Sequence, residues 1–290
     1  MQDSLSLHST VHFSDQDLDQ YVLEDCPYGD LTTHLLGIGT VSGRIAFTTR
    51  QETVVCCTEE AARLLERVGC EVVYAEPSGL SLPRGRSFLE ATGSGAALHT
   101  GWKVAVNLLE AASGIATRTR GIVDRVHAVD PSVEVVATRK VFPGTKRVAI
   151  KAVFAGGALP HRLGLSETIL VFPQHVALLG GLEAALERIR ELKSRSREKK
   201  VGVEVEDLKD AVLVAQAGAD VIQVDKMDPS GLARLVEAVR AAAPAVVIAA
   251  AGGIDEANAS IYAATGADVL VTSAMYWGKP ADIEAKISPT

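Results

Sequence analysis

Aromatic side chains are scarce in this 290-residue chain, at 4% of the total, and there are only 4 cysteines. Cys26, Cys56, Cys57 and Cys70 show no C-x-x-C spacing, so the sequence offers neither a zinc knuckle nor a disulfide framework. Adjacent Cys56 and Cys57 on an apolar stretch read as buried thiols. No run of 18 or more apolar residues occurs, so no segment reads as a membrane-spanning helix. The polar, acidic stretch Met1–Asp19 does not resemble a secretory leader, and the expected compartment is the cytoplasm. Positive charge is also short: 29 lysines and arginines face 36 acidic residues, for a formal net charge of −7. Such a balance excludes nucleic acid as an expected partner, because neutralising phosphates takes a basic footprint. The basic cluster Lys193–Lys200 reads as a solvated helix end and linker.

What the chain does contain is an alternation. From Val133 onward short β-rich runs, Val133–Ala137, Ile169–Phe172, Val201–Val205, Val221–Val224, Val246–Ala249 and Val269–Thr272, are separated by helical segments. Those segments include Leu182–Lys193, Leu208–Ala217, Ser230–Ala242 and Asp255–Thr265, with apolar residues at helical spacing. Strands alternating with helices imply parallel pairing and right-handed crossovers. Six such units fit a (β/α) barrel better than a sandwich, and barrels carry their chemistry at the C-terminal ends of their strands. Upstream, Gly43–Thr49 and Thr53–Cys57 read as strands, Glu59–Val68 as a helix, and Trp102–Arg125 as a long helix in which Gly114 needs a packing reason.

The residues at the strand ends are therefore the candidate site. Arg139 and Lys140 follow the first run, and Pro160–His161–Arg162 comes about two dozen residues later. Arginine presents a planar fork suited to carboxylate or phosphate, and lysine adds a point charge, so the set suits a small, multiply anionic substrate. Glu204 and Glu206 lie in and after the third run, Asp225 and Lys226 after the fourth, Gly252–Gly253 after the fifth and Ser273 after the sixth. Gly252–Gly253, ahead of the expected Asp255–Thr265 helix, can turn bare N–H groups toward a phosphate.

With these residues in place, the chain resembles the type II phosphoribosyltransferases, the quinolinate phosphoribosyltransferase (nicotinate-nucleotide pyrophosphorylase, carboxylating) family, and within it most closely the ModD-like branch associated with molybdate-transport genes. The markers are Glu24–Asp25 with Gly29–Asp30–Leu31–Thr32, Asn107–Leu108–Leu109, Ser113–Thr117, Thr138–Arg139–Lys140 with Pro143–Gly144, Gly156–Gly157, His161–Gly164, Val203–Val205, Asp225 with Met227, and Gly252–Gly253–Ile254. The resemblance implies an α/β fold: an incomplete (β/α) barrel over 114–273 and an N-terminal α/β domain over 1–113, on which the tail 274–290 packs. It implies a homodimer whose subunits close each other's barrel mouths, and a reaction in which a ring nitrogen attacks C1 of phosphoribosyl pyrophosphate while pyrophosphate leaves with Mg2+. Carried over by position, Arg139, Lys140, His161 and Arg162 would grip the acidic base, with Lys140, Glu204 and Asp225 as the catalytic set. Glu204 and Asp225 would face the ribose and the metal, and Gly252, Gly253 and Ser273 the 5′-phosphate.

Several positions depart from the family's pattern. Phe172 stands where quinolinate enzymes usually place a lysine, and Lys103 where the family sends an arginine across the dimer. Ala249 and Ala251 replace a glutamate and a serine, and Lys226 an asparagine. A substrate carboxylate left without its cation loses roughly 1–3 kcal/mol, so these changes point away from quinolinate toward a flatter or less charged base. Three readings follow: a phosphoribosyltransferase with an altered acceptor, a true carboxylating nicotinate-nucleotide diphosphorylase, or a non-catalytic protein capturing an oxyanion or phosphometabolite in molybdate uptake. A Schiff-base enzyme using Lys140 or Lys226 is a further class, distinguished by borohydride trapping of a carbonyl substrate.

Overall fold

The computed structural model describes residues 7–290; Met1–Ser6 of the expected N-terminal domain lie outside them. In chain order, α1 (Asp15–Asp25), α2 (Leu31–Leu35), β1 (Ser42–Thr49), β2 (Thr53–Val54), α3 (Thr58–Arg67), β3 (Glu71–Ala75), β4 (Ser81–Leu82) and β5 (Ser87–Ser94) lead into the 33-residue α4 (Gly95–His127). Then come β6 (Glu134–Ala137), α5 (Lys146–Ala155), β7 (Leu159–Pro160), β8 (Ile169–Val171), α6 (Pro173–Leu179), α7 (Leu182–Arg195), β9 (Val201–Val205) and α8 (Leu208–Gln216). The chain continues through β10 (Val221–Asp225), α9 (Pro229–Ala242), β11 (Val247–Ala251), α10 (Ala259–Ala263), β12 (Val269–Thr272) and β13 (Ile283–Pro289). The chain divides into two compact units.

The first unit gathers residues up to Arg120, Phe142–Gly157 and Tyr276–Thr290 around an antiparallel sheet of order β13-β1-β5-β3. Strand β1 alternates: Gly43, Ile45, Phe47 and Thr49 face inward while the residues between them are more exposed, the period of a half-buried strand. Ile45, Phe47, Leu64, Leu65, Phe88, Leu98 and Leu109 fill one fully buried cluster on that face. Strand β13 pairs antiparallel with β1 from Gly43↔Pro289 to Thr49↔Ile283. Segment Phe142–Gly157 lies inside the range expected for the barrel, yet it packs here, because Ala152 and Ala155 of α5 share a cluster with Val54, Cys56, Leu108 and Ala112. In that cluster's neighbourhood buried Lys151 donates to Glu59 at 2.9 Å and to Glu60 at 2.5 Å. The expected strand Thr53–Cys57 is only two residues long, since Cys57 turns into the left-handed region (φ +61) to start α3. Gly114 has its packing reason: a Cβ there would stand 2.9 Å from the Ala281 nitrogen and 3.0 Å from the Pro280 Cα.

The second unit, Gly121–Val141 with Ala158–Met275, holds one parallel sheet of order β7-β6-β12-β11-β10-β9-β8. Seven strands appear where six were read; the extra one, β7, is two residues ending in Pro160, too short and too proline-marked to give a periodic signal. Its strands β7 and β8 are the two edges, so the barrel is incomplete. Register sets the layers of the sheet's inner face: Gln223 stands opposite both Glu204 and Ala249, and Val271 opposite both Ala251 and Val136. Val136, Ala249, Ala251 and Val271 form an apolar cluster. The expected helix Asp255–Thr265 shrinks to the five residues of α10. Its first turn is lost to Asp255, whose carboxylate accepts from the Ala257 and Asn258 N–H groups and holds the backbone in an Asx turn instead.

Candidate active site

The C-terminal ends of the second unit's strands carry every candidate residue except Lys103, which is exposed on α4 in the first unit. Parallel pairing persists beyond β6: the Thr138 N–H donates to Thr272 O and the His161 N–H to Ala137 O, both at 2.9 Å. These bonds fix the backbone leading to Arg139 and Lys140 on one side and to Arg162 on the other. Arg162 is only 8% exposed, and its guanidinium lies 5.7 Å from the centre of the Phe172 ring. That ring stacks in turn on His175 at 6.0 Å, while the His175 Nδ1 accepts from the Phe172 N–H at 2.9 Å and closes the first turn of α6. A guanidinium over an aromatic face is attractive without neutralising the charge.

Burial and the positive charge of Arg139 push the Arg162 guanidinium below its ordinary range, with Glu167 opposing. Burial, reinforced by Arg162, also lowers His161, so its imidazole is neutral at pH 7 and serves as a hydrogen-bonding group rather than a cation. None of Arg139, Lys140 and Arg162 has an ion-pair partner among the described residues.

Facing these cations are carboxylates. Glu204 is half-buried near the end of β9 and accepts from Gln223 Nε2 at 2.6 Å. Burial pushes its carboxyl up; the Gln223 hydrogen bond opposes this, Asp225 and Glu206 add to it, and Lys140 pulls it back down. These mutual influences bring Lys140, Glu204, Glu206 and Asp225 into one electrostatic neighbourhood. Asp225 ends β10 and lies 3.6 Å from the Lys226 ammonium. Gln223 was not singled out from sequence. It shares a strand face with Val221 and Asp225, and its Oε1 is buried with no hydrogen-bond partner. A polar residue at an inward position of an otherwise apolar strand was the available signal.

The glycine turn completes the rim. Gly252 and Gly253 both have positive φ, +89° and +72°, which only glycine adopts without strain. A Cβ at Gly252 would fall 2.5 Å from Lys226 Cγ and 2.6 Å from Asp225 Oδ1, so the two strand ends are in direct contact. Thr272 Oγ1 donates to Ile254 O at 2.5 Å and ties the turn to the end of β12, beside half-buried Ser273. Because α10 is so short and begins after the Asx turn, the backbone N–H groups of the glycine turn are what this part of the rim offers an anion. A cavity of about 220 Å³ inside the sheet reaches His161 but is lined mainly at the opposite, N-terminal strand ends, by Glu134, Ile169, Lys200, Val221 and Val269. The arrangement can hold a flat anionic group against Arg139, Arg162 and Phe172 while keeping carboxylates within reach of a developing positive charge.

Comparison with known proteins gives a consistent outcome. The family model described as "Quinolinate phosphoribosyl transferase, C-terminal domain" matches residues 115–286, and its N-terminal counterpart matches residues 30–113. A Rhodobacter capsulatus protein named "Putative pyrophosphorylase ModD" is 43% identical over 239 residues, covering 82% of this chain and 92% of that protein. A Methanothermobacter thermautotrophicus protein named "Probable nicotinate-nucleotide pyrophosphorylase", carboxylating, is 32% identical over 256 residues, covering 87% and 90%. Among solved structures, NadC from Streptococcus pyogenes superposes with a TM-score of 0.85 at 25% identity, covering 95% of this chain and 96% of that one.

Proposed function

Since the chain belongs to the quinolinate phosphoribosyl transferase family, we propose that it is a ModD-like phosphoribosyltransferase, a pyrophosphorylase that moves phosphoribose from phosphoribosyl pyrophosphate to the ring nitrogen of an acidic heteroaromatic base. One observation carries this reading: Arg139 and Arg162, the latter packed on Phe172, stand at the ends of the same parallel sheet as Glu204 and Asp225, with Lys140 acting on Glu204. In the reaction the lone pair of the base nitrogen forms the new bond to C1. The bond from C1 to the pyrophosphate oxygen breaks, and pyrophosphate departs with that electron pair. The transition state is oxocarbenium-like, so ionised Glu204 and Asp225 near the ribose stabilise its growing positive charge. Arg139, Arg162, Lys140 and neutral His161 orient the base, and Gly252, Gly253 and Ser273 take the 5′-phosphate.

Mg2+ fits this site as a companion of the substrate. Among the described residues no three His, Cys, Asp or Glu side chains cluster as a metal cage, whereas magnesium needs only one or two carboxylates plus substrate phosphates. Glu204 and Asp225 are those carboxylates, and the ion would neutralise charge on the leaving pyrophosphate. No helix among the described residues is long and apolar enough to cross a membrane; we read the protein as cytoplasmic and homodimeric, with exposed Lys103 reaching toward a partner subunit.

Phe172 favours an acceptor other than quinolinate. It packs at the rim under Arg162 and leaves no ammonium there for a second carboxylate. Pyrophosphate release assayed with phosphoribosyl pyrophosphate, Mg2+ and a panel of pyridine and pyrimidine acids should therefore single out a less charged base. The variant Phe172→Lys should raise kcat/KM for quinolinate about tenfold or more, the effect of one charge-assisted hydrogen bond. If wild type already prefers quinolinate, or if Phe172→Lys leaves quinolinate use unchanged, the altered-acceptor assignment is wrong.

A further inference from the structure

Lys226 sits in the left-handed backbone region, with φ +55°, immediately after Asp225. A side chain with a β-carbon is strained there, and asparagine or glycine enters far more readily. Nothing in the local structure requires a lysine. Its backbone N–H donates to Ala251 O at 2.8 Å, a bond that any residue but proline can make, and its side chain is 79% exposed. Stability alone disfavours lysine at this position, so its positive charge is the property left to account for it.

The backbone and the base of the side chain that carry that charge are held in place. Gly252 lies against the lysine stem so closely that a Cβ would come within 2.5 Å of Cγ, with Lys226 N only 2.8 Å away. On the far side Tyr262 Oη donates to Met227 O at 3.0 Å, and Asp228 accepts from the Gly231 N–H at 3.0 Å to start α9. The ammonium is 3.6 Å from Asp225 Oδ2, too far for a good hydrogen bond. Its three donors remain available to a better acceptor beside Asp225, the carboxylate placed at the leaving pyrophosphate. Without Lys226 the rim on this side would set Glu204, Glu206 and Asp225 against Lys140 alone, a net negative field that repels a polyanion.

We propose that Lys226 is a polyphosphate-binding residue, its ammonium contacting a diphosphate oxygen of the activated sugar beside Asp225. The assignment rests on the phosphoribosyltransferase reading and adds a cation that lets the substrate bind with less reliance on a divalent metal. Calorimetric titration of the full-length protein with phosphoribosyl pyrophosphate alone, in Mg2+ and in EDTA, tests it on wild type, Lys226→Asn and Lys226→Gly. Both variants should bind about tenfold more weakly in EDTA, the loss expected for one charge-assisted hydrogen bond, with a smaller loss in Mg2+. Both should also melt about 2 °C higher, because the backbone strain is relieved. A lysine with a merely structural role would not combine higher melting with weaker binding. Affinity in EDTA equal to wild type would overturn the proposal and leave the transferase reading standing; a wild type that binds phosphoribosyl pyrophosphate in neither medium would overturn both.

Discussion

Glu204 is where the chemistry of single residues is most exposed to test. Burial favours its neutral form, and the hydrogen bond from Gln223 Nε2 is the nearest force keeping it ionised. On the proposed mechanism Glu204 must be ionised to stabilise a cationic transition state, so activity is expected to fall as the pH drops through its raised pKa. Removing the Gln223 donor raises that pKa further. Gln223→Leu should therefore move the acid limb of kcat/KM to higher pH and lose several-fold more activity at pH 6 than at pH 8, read by pyrophosphate release across the pH range. An acid limb that stays in place would show that Gln223 does not support Glu204. The charged residues of the site could be read from sequence because charge directly after a β-rich run has few structural uses. Gln223 offered only a fainter signal, a lone amide inside an apolar strand, whose meaning emerges when the register puts it opposite Glu204.

Elements proved legible where periodicity was long and obscure where a single contact decided the outcome. Strands Val201–Val205 and Val269–Thr272 and the long helix were readable because their apolar repeats span the whole element. The features that escaped include two-residue β7, the truncation of α10 by the Asp255 side chain, and the packing of α5 in the first unit. Each depends on a tertiary neighbour or a local side-chain bond that sequence spacing does not encode. Gly114 shows such a contact from the other direction. As an interior helical glycine it should be destabilising relative to alanine, but the Pro280–Ala281 backbone occupies the space of its missing Cβ. Gly114→Ala should thus destabilise the protein by about 1–3 kcal/mol rather than stabilise it, measurable as a lower denaturation midpoint. A raised midpoint would mean that the tail yields easily and that the close approach is not a constraint.

Across the whole molecule, composition limited the class and topology located the chemistry. An acidic chain without long apolar runs, rich in small aliphatic residues and in strand–helix alternation, could be assigned a parallel α/β architecture; the incomplete barrel with its accompanying sheet agrees. The proposed roles at the rim depend on residues from seven strands meeting at one end, which no single motif specifies. The most direct test of that convergence is pyrophosphate release by the intact protein, given phosphoribosyl pyrophosphate, Mg2+ and its best acceptor acid, compared between wild type and Asp225→Asn. Loss of turnover by about a hundredfold or more, with an unchanged melting temperature, is the predicted result; turnover equal to wild type would contradict the account.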